Sequence, residues 1–310
     1  MRRKRLLIPW LVCLGLSLVG IACATTAPHQ AAEQPPRTSP TSGDPAALVD
    51  AQYAAIVAGD LKAAFQGLAP SALFSGPLVD QVAVGDEARR VARHFFGTQL
   101  SSPFSPVRRV RHVGGAELPA VRWLVDRFGQ EGRQWSVFTL LVRGERWEIA
   151  AQSWDIADDD QRLLARSRAG ELPAIGAVAV PSTAPVDPAI EAWVERLSTE
   201  PTRMTIPAPL RGDTVLLGTS GEYAQGDEAC LTILAQNQAA IDAGHMTTAP
   251  LAGRALRLFG DGAAGVAVFH VAMTLTARRD GGTLPIRGVA FFVHHADGPR
   301  YVGLHFVTSP

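Results

Sequence analysis

A cation and an acid lie four residues apart in a stretch that is otherwise mostly apolar. Arg122 and Asp126 belong to the run Val121 to Phe128, in which strand periodicity places both side chains on the same face. If that face points into the protein, a buried carboxylate beside a cation could act as a general base or clamp a substrate. The alternative is an ion pair on an exposed sheet face together with ordinary core residues.

Four histidines lie close together in the last 41 residues, at positions 270, 294, 295 and 305. Imidazoles on adjacent strands can converge on zinc. However, the only nearby acid, Asp297, suits a hairpin turn, and His294 and His295 point to opposite faces of a strand. We therefore expect no metal site, and we expect these histidines at the surface or at an interface.

Composition and motifs exclude several classes of function. Lysine plus arginine and aspartate plus glutamate are equal at 29 each, and four of the basic residues lie at positions 2–5, so the rest of the chain is acidic. Nucleic acid is therefore not an expected partner, because phosphate binding needs a basic surface. No Walker loop, dinucleotide fingerprint, His-Glu-x-x-His or Gly-x-Ser-x-Gly motif occurs, and no cofactor is predicted.

The N-terminus is typical of an exported protein. A basic segment is followed by an apolar run and by Gly20-Ile21-Ala22-Cys23. This resembles a bacterial lipobox, which implies that residues 1–22 are a lipoprotein signal peptide and that Cys23 carries the lipid. An ordinary signal peptide or a single membrane anchor is the alternative.

The resemblance to a lipobox also implies a location. Ala24 after the cysteine suggests a lipid anchor in the bacterial outer membrane, and so a cell-envelope protein. Residues 23–43 are rich in Ala, Thr, Pro, Gln and Ser, which predicts a disordered tether. Cys230 is then the only other cysteine of the mature chain, and we expect it in the core, without an intrachain disulfide.

Two short motifs each occur twice, about 140 residues apart. Asp44-Pro45-Ala46 and Asp187-Pro188-Ala189 are helix starts, with Asp as the cap and Pro in the first turn. Gly85-Asp86-Glu87-Ala88 returns as Gly226-Asp227-Glu228-Ala229, where Gly should turn the chain and Asp should cap the following helix. The repeated motifs therefore predict two tandem domains at 44–168 and 187–310, joined by a Pro-containing linker at 169–186.

Each predicted domain places helices first and strands after them. Four strands separated by hairpin turns follow in each copy, which is typical of an α+β fold with an antiparallel sheet. In the second copy, pairing the strands through their turns places Phe269, Val289 and Phe291 on one face and His270 and His305 on the other. A register slip of one residue would reverse that assignment.

The order of elements resembles the nuclear transport factor 2-like superfamily, which includes SnoaL-like cyclases and ketosteroid isomerase. The residues that carry the resemblance are Ala58-Gly59-Asp60-Leu61, Phe74-Ser75-Gly76-Pro77 before Gly85, and the terminal hairpin from Leu141 to Ile149. The resemblance implies two cone-shaped domains, each with helices packed on a curved antiparallel sheet. It also implies that the outer sheet faces can serve as a dimer contact, here within one chain as a pseudo-dimer.

The resemblance also implies where a site would lie. Tyr53 on the first helix would donate a hydrogen bond to an enol oxygen; an enzyme of this kind would use Asp126 as base and either Tyr53 or Arg122 as the stabiliser of the oxyanion. Pocket residues would be Trp123, Gln152 and Trp154. The second copy has Arg196 where the first has Tyr53, and Ser153 replaces a histidine common in SnoaL-like proteins, so the family's chemistry is not matched throughout.

We therefore favour a non-catalytic lipoprotein that binds a small apolar ligand or a partner protein. The alternative is an isomerase, cyclase or dehydratase that acts through a pocket of the first domain.

Overall fold

The computed structural model describes ten ranges of the chain: residues 43–78, 81–99, 107–130, 133–157, 165, 169, 188–206, 208–219, 221–276 and 282–308. The predicted signal peptide, Cys23, the tether and the linker at 169–186 lie outside these ranges, apart from residue 169. No helix within them is long and apolar enough to span a membrane.

The first domain begins with helices that cover one face of its sheet. The helical elements are α1 (Pro45–Val57), α2 (Leu61–Ala64), α3 (Asp86–His94) and a π-helical turn (Phe95–Gln99). The start of α1 is confirmed, since the Asp44 carboxylate accepts a hydrogen bond from the Ala46 amide at 2.9 Å and Pro45 occupies the first turn.

Six strands form the first sheet. They are β1 (Leu68–Ser75), β2 (Val82–Val84), β3 (Val107–Gly114), β4 (Val121–Gln130), β5 (Arg133–Arg143) and β6 (Trp147–Ala157). Their order is β2-β1-β6-β5-β4-β3. The four strands from β3 to β6 form the predicted antiparallel meander, and β1 joins β6 in parallel.

The second domain repeats this order of elements. Its helices are α4 (Pro188–Thr199), a 3-10 turn (Ala208–Leu210) and α5 (Asp227–Asp242). Its strands are β7 (Val215–Leu217), β8 (Tyr223–Gln225), β9 (Met246–Phe259), β10 (Ala264–Leu275), β11 (Thr283–His295) and β12 (Gly298–Val307). The sheet order, β8-β7-β12-β11-β10-β9, matches that of the first sheet. The predicted α+β class is confirmed.

The repeated Gly-Asp-Glu-Ala motif marks the same junction in both copies, but the capping residue differs from the prediction. Gly85 and Gly226, not the aspartates, are the N-caps of α3 and α5, and no side chain caps either helix. Both glycines have positive φ, 64° and 86°, a conformation that other residues adopt only with strain. Asp86 and Asp227 lie in the first helical turn, where a negative charge is favourable.

The predicted register of the second sheet is wrong by one residue. Val289 lies opposite Val268, and Phe269 lies opposite Gly288. Val289 and Phe291 therefore face away from the helices, whereas Phe269 faces them. The sequence does not distinguish the two faces because both are buried and apolar, so alternation carries no signal.

The two sheets pack face to face through the surfaces that their helices leave uncovered. The Phe138 ring of β5 stacks on the Phe291 ring of β11, with 3.9 Å between centroids and an interplanar angle of 15°. Gly303 on β12 allows this approach, since a Cβ there would overlap the Phe138 ring. We call this contact the seam; its buried apolar residues come from both sheets.

Polar contacts border the seam. The Asp213 carbonyl accepts hydrogen bonds from Trp123 Nε1 at 2.8 Å, and it lies 3.0 Å from His112 Nε2. The Gly115 amide donates to the Asp213 carboxylate at 2.9 Å. Arg127 of β4 lies over the Tyr223 ring, 4.8 Å from its centroid, and donates to the Gly221 carbonyl at 3.0 Å. These contacts fix the position of one sheet relative to the other.

Candidate functional site

The centre of the first domain contains an ionised network around Asp126. The Asp126 carboxylate accepts two hydrogen bonds from Arg111, at 2.6 Å from Nε and 2.9 Å from Nη2. It accepts a third from the Tyr53 hydroxyl at 3.1 Å. The Asp126 side chain is fully buried, and paired donors are what makes a buried carboxylate tolerable.

Arg111 connects this buried carboxylate to the protein surface. Its Nη1 lies 3.0 Å from Asp50 of α1, whose side chain is 48% exposed, whereas the side chain of Arg111 is 15% exposed. Because Asp50 and Tyr53 both belong to α1, the network attaches this helix to β3 and β4 of the sheet.

A second polar group lies beside the first. The amides of Gln52 and Gln152 bond reciprocally, at 3.0 and 2.7 Å, and Gln152 also donates to the Thr139 hydroxyl at 3.2 Å. All three side chains are buried. The Gln52–Gln152 bonds attach α1 to β6 as well, and the bond from Gln152 to Thr139 joins β6 to β5.

Aromatic side chains fill the space around the two polar groups. Tyr53 makes edge-to-face contacts with Phe128 and Trp154, at centroid distances of 5.2 and 5.9 Å. Phe95 and Phe96 of the π-helical turn pack on Trp154, at 5.7 and 5.2 Å. Tyr53, Asp126, Gln152 and Trp154 are each at most 4% exposed. The site is thus a packed core with a polar centre.

The pKa values agree with a fixed charge distribution. Burial, and then the negative charge of Asp126, raises the pKa of the Tyr53 hydroxyl well above its usual value. Burial disfavours the charged form of Arg111, but its hydrogen bonds and ion pairs with Asp126 and Asp50 outweigh this, so the pKa of Arg111 is raised. At neutral pH, Tyr53 is therefore a neutral donor and Arg111 a permanent cation.

The predicted site residues divide between the two faces of the sheet. Asp126, Tyr53, Gln152 and Trp154 lie together on the helix side. Trp123 lies on the other face, in the seam, so it is not a neighbour of the other four.

Arg122 does not pair with Asp126. Its guanidinium donates to the backbone carbonyls of Gly115, Leu118 and Val121, and it lies over the Trp147 ring at 5.5 Å. The side chain therefore points to the carbonyls of the β3–β4 hairpin and away from Asp126.

The cation beside Asp126 is Arg111, which sequence reasoning missed. Arg111 is the cross-strand partner of Asp126 in the β3–β4 hairpin. The usable signal is charge complementarity: in the register that pairs Val113 with Leu124, Arg111 lies directly opposite Asp126, and opposite charges across an antiparallel pair attract.

The described residues of the second domain form no counterpart of this polar network. Aligning the sheets on Phe138 and Phe291 places Ala267 at the position of Asp126, since Asp126 pairs with Val137 and Ala267 pairs with Ala290. The second core is lined by apolar side chains, among which the Tyr301 hydroxyl is fully buried.

At one end of the second core, some apolar side chains are not fully covered. Met273, Leu275 and Phe306, at the β10 and β12 ends of the sheet, are only partly buried, and so are Ile206 and Ile233 on the covering loop and helix. We call Met273, Leu275 and Phe306 the open end. In the first domain, Ile156 at the position of Phe306 is also partly buried, but its cross-strand neighbour Trp135 is buried, and Phe95 packs on Trp135 at 5.9 Å.

A separate groove of about 530 Å³ lies between α4 and the edge strand β9. Its walls carry Glu191, Glu195 and Arg254, and Arg254 forms an ion pair with Glu195. These charges make it unlike the open end, so the two are distinct surfaces of the second domain.

The histidines do not form a metal site in the described part of the chain. His270 and His305 are fully buried on the seam side of the second sheet, as their predicted common face requires, and His294 is exposed. Within the described ranges, no three His, Cys, Asp or Glu side chains come close enough to hold a metal ion.

Comparisons with known proteins give structural matches only. No protein-family model matches the chain, and no curated protein is significantly similar to it. One structural match is a nuclear transport factor 2-like protein of unknown function from Silicibacter pomeroyi, with 17% identity and a TM-score of 0.30, covering 36% of this chain and 91% of that one. Another is a ketosteroid isomerase-like protein from Erwinia carotovora, with 13% identity and a TM-score of 0.31, covering 37% and 94%.

A third match is a nuclear transport factor 2-like superfamily protein from Salmonella enterica, with 19% identity and a TM-score of 0.29, covering 39% of this chain and 87% of that one. The solved structures are thus described with the name of the superfamily that the sequence resembles.

Replacing Asp126 tests whether the network of Asp126, Arg111 and Tyr53 stabilises the fold. Asp126→Ala leaves Arg111 buried without its main partner, and we expect the free energy of unfolding to fall by about 3–5 kcal/mol. Asp50→Ala, at the exposed end of the same network, should cost at most about 1 kcal/mol. Urea unfolding of both variants measures the difference, and equal losses would contradict this account.

Proposed function

We propose that this protein is a non-catalytic binding protein of the bacterial cell envelope, anchored by a lipid on Cys23, whose second domain binds a small apolar ligand. The observation that carries the proposal is the open end of the second core. Met273, Leu275 and Phe306 remain partly exposed there, whereas at the corresponding end of the first core only Ile156 is partly buried, beside the buried rings of Trp135 and Phe95. Apolar surface of this kind is typical of a site for an apolar ligand.

The chemistry of the first domain supports a binding role over catalysis. A general base must reach the proton that it abstracts, and it must have a lone pair to accept it. Asp126 is fully buried and accepts three hydrogen bonds from Arg111 and Tyr53. We therefore assign the network to holding α1 on the sheet, and we propose no reaction there.

The seam gives the second domain a fixed support. In this proposal the first domain acts as the scaffold of an intrachain pseudo-dimer and the second carries the ligand. The predicted tether would hold both at a distance from the membrane, and neither an intrachain disulfide nor a cofactor is needed.

A charge placed at the open end should abolish ligand binding. Met273→Glu introduces a carboxylate that an apolar ligand would have to desolvate, so we expect at least a tenfold loss of affinity. The probe is the neutral fluorescent dye N-phenyl-1-naphthylamine, titrated into the full chain. Val57→Glu is the matched control, because Val57 is an exposed apolar residue of the first domain, 48% accessible.

Saturable binding to the wild type and to Val57→Glu, with loss in Met273→Glu, is the expected pattern. No saturable binding to the wild type, or equal affinity in both variants, would refute a site at the open end. If the chain binds a protein and does not bind the dye, the alternative that the open end contacts a partner protein would be favoured.

The lipid anchor has an independent test. Cys23→Ala removes the only residue that the lipobox-like motif offers for lipidation, so the processed chain should move from the membrane to the soluble fraction. Fractionation of cells followed by mass spectrometry of the N-terminus measures both. A Cys23→Ala chain that is cleaved and still sediments with membranes would rule the anchor out.

A further inference from the structure

One end of the seam is polar, although the rest is apolar. Ser75, Ser153 and Asp155 of the first sheet face Arg287 and His305 of the second, and all five are at most 1% exposed. Arg287 crosses the seam and donates to the carbonyls of Gly76 and Leu78 in the first domain. The seam therefore encloses titratable and charged side chains away from water, Asp155, Arg287 and His305 among them.

Burial in the seam determines the charge state of His305. Its Nε2 lies 4.0 Å from Asp155 Oδ2, beyond hydrogen-bond distance, and neither ring nitrogen has a hydrogen-bond partner among the described residues. The imidazole is neutral in this packing. Water cannot reach the imidazole while the second sheet is packed on the first.

The groups that face His305 do not, on balance, stabilise its protonated form. Asp155 faces it from β6 and Arg287 from β11; the neighbouring strands β1 and β7 bring Ser75 and Leu217, which carry no charge. His270 of β10 lies one strand farther away, opposite Arg287. Burial, and then the positive charge of Arg287, lowers the pKa of His305 to about 3.

We infer that the seam is an acid-sensitive contact, in which protonation of His305 separates the second sheet from the first before either domain unfolds. Separation alone hydrates His305, because its side chain lies in the seam and in neither helix-side core. Each domain keeps its own core on the helix side, built around Trp154 in the first and Phe292 in the second. This inference is independent of the ligand proposed above.

The sign and size of the effect follow from linkage. A histidine with a lowered pKa stabilises the packed form fully above its free pKa of about 6.5, and that contribution is lost as the pH falls toward 3. Between pH 7 and pH 5 the ratio of separated to packed molecules should rise about 25-fold. Protonation thus acts as a local switch in the physiological range of histidine.

The test uses thiol labelling at two buried positions of the full chain. Ser153→Cys places a near-isosteric thiol in the seam, and the native Cys230 reports on the helix-side core of the second domain. Labelling with 4,4′-dithiodipyridine at pH 7 and pH 5 is quantified for each cysteine by peptide mass spectrometry. Rates are divided by those of the denatured chain at the same pH.

We expect labelling of Cys at position 153 to accelerate about 25-fold at pH 5 with little change at Cys230. His305→Gln in the same background should remove the acceleration, and His305→Phe serves if the glutamine variant does not fold. The matched control His294→Gln, at an exposed histidine of the same sheet, should keep it.

Three results would overturn the inference. One is an equal rate at both pH values for the thiol at position 153. Another is parallel acceleration at position 153 and Cys230, which indicates unfolding of the whole second domain. The third is acceleration that persists in His305→Gln or His305→Phe, which would assign the titration to another group.

Discussion

The packing of one sheet face on the other is the constraint on which the rest of the structure depends. Each sheet is covered by helices on one side and by the other sheet on the opposite side, so both faces of its central strands are buried. For the two sheets to approach closely, small residues must lie opposite large ones. Phe138 stacks on Phe291 because Gly303 leaves space for the Phe138 ring. Pairing lowers the cost of burying polar groups in the seam, as it does for Asp213 and Arg287, whereas His305 is buried there without a hydrogen bond.

The two copies use the same fold in different ways. In the first, Asp126, Arg111 and Tyr53 form a buried network that joins α1 to the sheet, and aromatic residues fill the remaining space. In the second, an alanine replaces the acid and one end of the core stays partly exposed. A buried ion pair has a large desolvation cost, so its value lies in fixing one arrangement of the helix more than in added stability. The ligand proposed above is therefore assigned to the copy without that network.

Sequence reasoning predicted the elements better than their contacts. The Asp44-Pro45 helix start and the eight meander strands are local signals, set by capping and turn chemistry, and the structure contains them. The register of the second sheet could not be predicted from alternation, because residues such as Phe291 and Phe292 are buried on opposite faces. Asp126 and Tyr53 were correctly placed together, but Arg111 was missed because only strand pairing, and no motif, links it to Asp126.

The central claim is that the seam makes the two domains one cooperative unit at neutral pH. Urea unfolding at pH 7 of a Trp193→Phe chain tests it directly, because the remaining described tryptophans belong to the first domain and Cys230 belongs to the second. Tryptophan fluorescence and Cys230 labelling should give the same transition midpoint. Two separated midpoints would show that the domains unfold independently and would contradict the claim.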